Sequence, residues 1–140
     1  MTDILERLAA RVERGEVKAL SIKQPWPHRI FHEGKDIENR DWPTKFRGPV
    51  CIHAGKKEDE DCGLDLAGMR HPVTGRHFDI GCGTWPHGGI VGVATITDCV
   101  TDSESEWFVG RYGFVIRNAR PVDSIPLSGA LGFFDWRKRL

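Results

Sequence analysis

The chain opens with apolar residues at helical spacing and continues with residues that alternate between apolar and polar. Ile4, Leu8 and Val12 lie one turn apart, which predicts an amphipathic helix over residues 2–15 that packs on the rest of the protein. Leu20 and Ile22 alternate with polar neighbours, which predicts a strand over residues 18–23.

The rest of the chain contains short strand-like runs separated by Gly and Pro. We predict a short helix ending at Gly34, an extended segment over residues 37–42 and a strand over residues 50–54. A helix over residues 56–69, a hairpin near Thr74-Gly75, strands over 89–102 and 112–116 and an extended piece from Pro121 are expected to follow.

Strands and helices do not alternate as they do in parallel α/β proteins. The pattern therefore predicts an α+β fold, a small and mostly antiparallel β-barrel with flanking helices. We divide the chain into the N-terminal helix, residues 1–16, and one domain, residues 17–140.

Composition narrows the classes of protein to consider. The chain has 140 residues, of which 39% are hydrophobic, which suits one folded domain and excludes a disordered chain. No apolar run approaches the length of a membrane helix, and Asp3 and Glu6 do not fit a signal peptide. We expect a cytoplasmic protein without a membrane partner.

The formal net charge of zero results from segments of opposite charge. Residues 1–17 carry a net charge of −1, residues 18–57 carry +5, residues 58–108 carry −8 and residues 109–140 carry +4. Neutrality argues against a histone-like binder but allows a local basic site, and favours a small ligand or a short single strand.

Cysteine and histidine residues do not predict a metal site. Cys62, His71, His77, Cys82 and His87 share one polar stretch, but their spacing matches no common zinc pattern. Cys51 and Cys99 lie in apolar runs, as expected for small buried side chains. We predict no metal and no cofactor.

One group of polar and aromatic residues indicates a binding site. Glu38, Arg40 and Trp42 share one face of an extended segment, and Ile37 points the other way and is expected to be buried. Cations such as Lys35 and Arg40 bind phosphate, indoles stack on bases, and Glu38 or Asn39 can pair with a base edge. We predict ligand-binding roles for Lys23, Trp26, Lys35, Glu38, Asn39, Arg40 and Trp107.

A purely structural interpretation is also open. Glu38 and Arg40 would then form an ion pair, and the indoles would belong to the core. Trp107 follows a Ser/Glu-rich turn and is a better candidate for a base platform than Phe108 or Phe114.

The string LSIKQPW…GKDIENRDWPTKFRGPVCIHAGKK resembles the start of ASCH domains, members of the PUA-like superfamily. GGIVGVATITDC and the segment around Ile125-Pro126-Leu127 are also similar, so that the resemblance extends from about residue 19 to 136. In the family pattern Gly-x-Lys-x-x-Glu-x-Arg, Lys35, Glu38 and Arg40 match. Glu33 occupies the glycine position, and Gly34 follows.

The resemblance implies a PUA-like barrel that binds nucleic acid or a nucleotide in a cleft beside the helix after the first strand. Single-stranded RNA is the favoured partner, and a modified nucleoside or nucleotide is the alternative. Any protein partner is unknown, although residues 2–15 could also form a partner-binding helix.

A small hydrolase is the alternative function that the resemblance implies, either an amidohydrolase on acylated cytidine or a ribonuclease. Lys35 and Glu38 would be its catalytic residues, although Glu38 stands where those amidohydrolases carry Thr. Ser21, Thr44 or Ser105 could supply the missing hydroxyl, and the further carboxylate falls near Glu104 or Glu106. Because Glu38 stabilises the ammonium form, we expect Lys35 to act as a charged ligand partner rather than as a nucleophile.

Overall fold

The computed structural model describes residues 2–59 and 85–140. Its elements in chain order are α1 Thr2–Glu13, β1 Ala19–Gln24, α2 Trp26–His32, β2 Ile37–Arg40, β3 Gly48–Glu58, β4 Gly89–Val100, β5 Tyr112–Pro126, β6 Phe133–Phe134 and a 3₁₀ helix Trp136–Arg139.

The strands form one curled sheet in the order β2-β5-β4-β3-β1-β6, a half-barrel. β1 pairs with β3 in parallel, and the other pairings among the described strands are antiparallel. Register shifts in β3–β4 and β4–β5 interrupt the ladders, and such bulges increase the local twist that curls a sheet. The prediction of an α+β fold with a small, mostly antiparallel barrel is confirmed.

Two apolar clusters lie on the two faces of this sheet. The inner cluster includes Leu20, Ile52 and Phe114, and α2 contributes Ile30 to it. The outer cluster includes Cys51 and Trp136, and Leu8 and Val12 of α1 pack against it. Burial raises the pKa of the Cys51 thiol to about 12, as expected for a small apolar side chain. The domain boundary at residues 16 and 17 stays a prediction.

Two sequence predictions about secondary structure are wrong. Lys56 and Lys57 do not begin a helix, because β3 continues to Glu58, which pairs with Gln24 of β1. Residues 112–116 and the segment from Pro121 do not form separate strands, because β5 runs through both of them. The strand continues past Asn118 although this residue has a positive φ of 56°. In both places strand pairing overrides local preference. The remainder of the predicted helix and the predicted hairpin near Thr74 lie outside the described residues.

The barrel has an open seam between β1 and β2. Among the strands of residues 2–59 and 85–140, β6 pairs with Ala19 and Leu20 of β1, and none lies beside the end of β1 on that side. Arg40 of β2 crosses the seam and donates a hydrogen bond from Nη2 to the Ser21 carbonyl at 2.8 Å. A side chain therefore joins the two strands where a backbone ladder would otherwise do so.

Candidate functional site

A cleft of about 880 Å³ occupies the seam. This volume falls within the range of roughly 300–1,000 Å³ that is usual for small-molecule sites. Its walls come from β1, from α2, from the chain between Lys35 and Trp42, from Asp59 and from two loops. The wall residues are Ser21, Ile22, Lys23, Trp26, Lys35, residues 38–42, Asp59, residues 106, 107 and 109–111, and residues 130–132. All seven predicted ligand-binding residues lie in these walls; whether they bind a ligand stays a prediction.

The register of β2 explains how the polar residues reach the cleft. Glu38 is paired with Phe114 across β2 and β5, so that both side chains point to the inner face of the sheet. Ile37 points to the outer face and is buried against Trp107, as expected from the alternation. Gly34 ends α2 with φ of +75°, and the Lys35 amide then donates to the Arg29 carbonyl at 3.1 Å. Lys35 is thereby directed into the end of the barrel.

Lys35, Glu38 and Arg40 form a charged cluster on the floor of the cleft. The Lys35 ammonium donates to the Ile37 carbonyl and lies 3.4 Å from Glu38 Oε1. Arg40 Nε lies 3.1 Å from Glu38 Oε2 as an ion pair, but its direction does not allow a hydrogen bond. Because Lys35 and Glu38 are buried at 4% and 6% exposure, this cluster is part of the protein interior rather than a surface salt bridge.

Burial lowers the pKa of Lys35 below its ordinary value, because desolvation of the ammonium is the largest influence. Glu38 raises this pKa by charge and by its hydrogen bond, whereas Arg40 lowers it. The expectation from the sequence rested on the effect of Glu38, whereas burial of Lys35 has the larger effect and the opposite sign. The structure therefore favours a lysine that loses its proton more easily than an exposed one.

The indole of Trp26 forms one wall of the cleft. Its Nε1 donates to Asp59 Oδ2 at 2.8 Å, and the Lys35 ammonium lies 5.6 Å from its ring centroid. The ring is half-buried against the inner cluster. A hydrogen bond at its polar edge and packing on its face hold this aromatic surface in one orientation.

Asn39 and Trp107 are occupied by contacts within the protein. Asn39 Nδ2 donates to the Trp107 carbonyl at 2.9 Å, and the Val109 amide donates to Asn39 Oδ1 at 2.9 Å. Trp107 is only 5% exposed and packs on Ile37. Asn39 therefore fastens the loop of residues 107–111 to β2, and Trp107 supports the wall more than it offers a stacking surface.

The cleft is neutral in charge. Among the described wall residues, four cations, Lys23, Lys35, Arg40 and Arg111, face four acids, Glu38, Asp41, Asp59 and Glu106. The net charge of +5 in residues 18–57 does not produce a positive cleft, because Lys45, Arg47, Lys56 and Lys57 lie outside its walls and acids from other segments enter them.

The three candidate hydroxyls are each bound elsewhere. Ser105 Oγ donates to Asp36 Oδ1 at 2.6 Å, and Thr44 Oγ1 accepts from the Phe46 amide at 3.0 Å. Ser21 Oγ lies 2.9 Å from His53 Nδ1, and His53 Nε2 lies 2.8 Å from the Leu127 carbonyl. Because a carbonyl only accepts, Nε2 carries a proton, and in the neutral imidazole the Ser21 hydroxyl then donates to Nδ1. Ser21 and His53 lie 32 residues apart in the chain and become adjacent through the β1–β3 register, which local sequence spacing does not reveal.

Several wall residues were not expected from the sequence. Asp59 lies within the helix predicted over residues 56–69, and Asp41, Arg111 and Leu131 were not among the predicted site residues. These four residues all lie next to the seam, and the location of the seam depends on the order of the strands in the sheet. Of the two acids considered for a hydrolase, Glu106 lies in the wall and Glu104 does not.

These features define a PUA-like barrel with a polar cleft at its open seam. The family model of the ASCH domain matches residues 20–118, well over half of the chain. The chain therefore belongs to the ASCH domain family, whose members are PUA-like modules of the RNA-binding type, and the resemblance seen in the sequence is confirmed. No curated protein matches the sequence.

The described residues contain no helix that is both long and apolar enough to cross a membrane. They also contain no cluster of three His, Cys, Asp or Glu side chains suited to a metal ion. Cys62, His71, His77 and Cys82 lie outside this part of the chain, and the predictions of no metal and of a cytoplasmic location stay predictions.

The lowered pKa of Lys35 predicts a specific pH dependence of stability. Between the folded-state pKa and the ordinary value of 10.5, the unfolded state holds a proton that the folded state has lost. The free energy of unfolding therefore rises with pH in this window. We expect urea denaturation from pH 7 to 10 to show wild type gaining stability relative to Lys35→Met. Lys45→Met, at an exposed position, controls for loss of a lysine, and a constant difference between wild type and Lys35→Met would contradict the prediction.

Proposed function

We propose that the protein binds a nucleotide unit, free or within a single-stranded nucleic acid, in the cleft at the seam. The observation that carries the proposal is the buried cluster of Lys35, Glu38 and Arg40 next to the fixed indole of Trp26. A planar base fits against the indole, and the cluster offers both donors and acceptors to its edge. RNA is the favoured chemistry, because the family is of the RNA-binding type.

The cluster retains capacity for hydrogen bonds to a ligand. An ammonium has three donors, and Lys35 uses two of them, on Ile37 and Glu38. Arg40 has five N–H donors, one of which is used on the Ser21 carbonyl, and its side chain is 20% exposed. Each carboxylate oxygen of Glu38 has a second lone pair that can accept from an exocyclic amino group. These groups could pair with a base edge and with one phosphate or ribose.

The balanced charge of the cleft supports recognition of a single nucleotide unit. A long polyanion in one groove requires an excess of cations along it, whereas this cleft has equal numbers of cations and acids. A base with one sugar or phosphate can bind without an excess of cations in the cleft.

A thermal-shift panel of nucleosides, nucleotides and 8-nucleotide RNA and DNA strands tests the proposal. A bound compound raises the melting temperature by mass action. We expect Arg40→Gln to weaken binding at least tenfold, since a hydrogen bond to a charged group contributes about 1.5–3 kcal/mol. Arg47→Gln removes a cation outside the walls and serves as the matched control. Equal binding by wild type and Arg40→Gln, or no binding by any member of the panel, would overturn the proposal.

A second candidate, a hydrolase acting on a modified nucleoside, is favoured by the lowered pKa of Lys35. A neutral amine can act as a nucleophile or a base, and Glu106 supplies a carboxylate in the wall. Incubation with acylated cytidines and mass spectrometry would test it, with Lys35→Met as the inactive control. Absence of product at high protein concentration, in a sample that binds nucleotides, would leave binding as the function.

A further inference from the structure

Two loops form the lips of the cleft, and each carries an exposed apolar side chain. The first lip, residues 107–111, contains Val109 at 53% exposure, and the second lip, residues 128–132, contains Leu131 at 100% exposure. Gly110 and Gly132 adopt positive φ of +87° and +65° next to them. Large apolar side chains at the entrance of a polar cleft provide packing surface for something that extends beyond the cleft.

The surroundings of the two lips differ in charge. The first lip contains the exposed cation Arg111, but it follows a loop with three exposed acids, Asp102, Glu104 and Glu106, so that the charge on this side is negative on balance. The second lip is attached to the C-terminal 3₁₀ helix, because Arg139 donates to the carbonyls of Ser128 and Gly129 at 2.9 and 3.0 Å. A strand with one phosphate per nucleotide is repelled on the first side and attracted on the second.

The basic face next to the second lip consists of Lys18, Arg137, Lys138 and Arg139, all of them exposed. Asp135 lies among them, 3.9 Å from the Lys18 ammonium and 3.7 Å from that of Lys138. Arg139 uses two of its five N–H donors on the lip, which leaves three for other partners. A net positive surface therefore continues directly from the entrance of a neutral cleft.

We propose that the cleft takes one base of a longer single-stranded nucleic acid, and that the strand leaves over the second lip. The neighbouring base packs on Leu131, and the following phosphates lie on the basic face of Lys18, Arg137, Lys138 and Arg139. This inference rests on the proposed function and names its substrate as an oligonucleotide rather than a free nucleoside. Both the lip and the basic face lie outside residues 20–118, the part that matches the family.

The test compares a mononucleotide with a 10-nucleotide homopolymer by fluorescence anisotropy and calorimetry. The double variant Arg137→Gln/Lys138→Gln removes two cations of the basic face and keeps the stem of Arg137, which packs on Gly15. Arg117→Gln/Arg120→Gln removes two exposed cations from β5, outside the cleft, and is the matched control. Melting temperatures confirm that both variants fold.

We expect the basic-face variant to bind the 10-mer roughly tenfold more weakly, with the slope of log K against log salt reduced by about 1.4 for two lost phosphate contacts. Its affinity for the mononucleotide should not change. Leu131→Ser should weaken binding of the 10-mer several-fold; because Leu131 also lies in the wall of the cleft, unchanged binding of the mononucleotide is expected of the basic-face variant alone.

Three outcomes would overturn the inference while the proposed function stands. In the first, wild type binds the 10-mer no more tightly than the mononucleotide. In the others, the basic-face and control variants lose the same affinity for the 10-mer, or both the basic-face variant and Leu131→Ser bind the 10-mer as wild type does. Failure of wild type to bind either ligand would instead overturn the proposed function itself.

Discussion

Replacement of Glu38 by Gln is expected to destabilise the protein by about 3 kcal/mol and to abolish ligand binding in the cleft. The carboxylate lies 3.4 Å from the Lys35 ammonium and 3.1 Å from Arg40 Nε, and the substitution leaves both cations without their counter-ion. Removing one partner of a buried ion pair typically costs about 3–5 kcal/mol. We expect the low end of this range, because Arg40 is partly exposed.

The same substitution should lower the pKa of Lys35 further, because Glu38 is the main group that raises it. Urea denaturation measures the loss of stability, and the thermal-shift panel measures the loss of binding. Asp41→Asn is the matched control, since Asp41 lies in the same cleft but is exposed, and it should change stability by less than about 0.5 kcal/mol. A Glu38→Gln protein as stable as Asp41→Asn would show that the cluster contributes nothing to the fold.

Replacement of Phe114 by Ala is the second large effect, and we expect a loss of about 3–5 kcal/mol. The ring is completely buried and makes edge-on contact with Trp42, with 5.2 Å between the ring centroids. Because Phe114 is paired with Glu38, the cavity would open beside the floor of the cleft. Ligand affinity should therefore fall together with stability.

Phe114→Leu is the control for shape, because it keeps most of the apolar volume, and we expect less than half of the loss caused by Ala. Denaturant titration compares the three proteins, and nucleotide binding is measured well below their melting temperatures. Equal stability of the Ala and Leu variants would contradict the role of Phe114 as the support of the floor.

Local patterns predicted the parts of the fold that depend on neighbours in the chain. Gly34 ends α2 as expected, and alternation correctly placed Ile37 on the buried side of β2. The extent of β3 was wrong, because it depends on pairing with β1, more than thirty residues away. Local preference carries no information on such partners.

The residues of the candidate site were predicted from the sequence, but their burial and their hydrogen-bond partners were not. The spacing of Lys35, Glu38 and Arg40 identified the charged cluster, whereas the burial of Lys35, at 4% exposure, depends on the tertiary structure. Asn39 looked like a group for base recognition, but its two hydrogen bonds reach a loop 68 and 70 residues further along the chain. A sequence shows which groups are present; the fold decides which of them are already occupied.

The open seam has a consequence for the motions of the protein. β2 has four residues, is an edge strand among the strands that the structure describes, and is joined to β1 through the guanidinium of Arg40. Short edge strands with few ladder contacts are among the first parts of a fold to open. A ligand that bridges β1 and β2 would suppress this opening, and amide exchange at Ile37–Arg40 would slow far more than exchange in β4. The backbone of β2 thus reports directly on occupancy of the cleft.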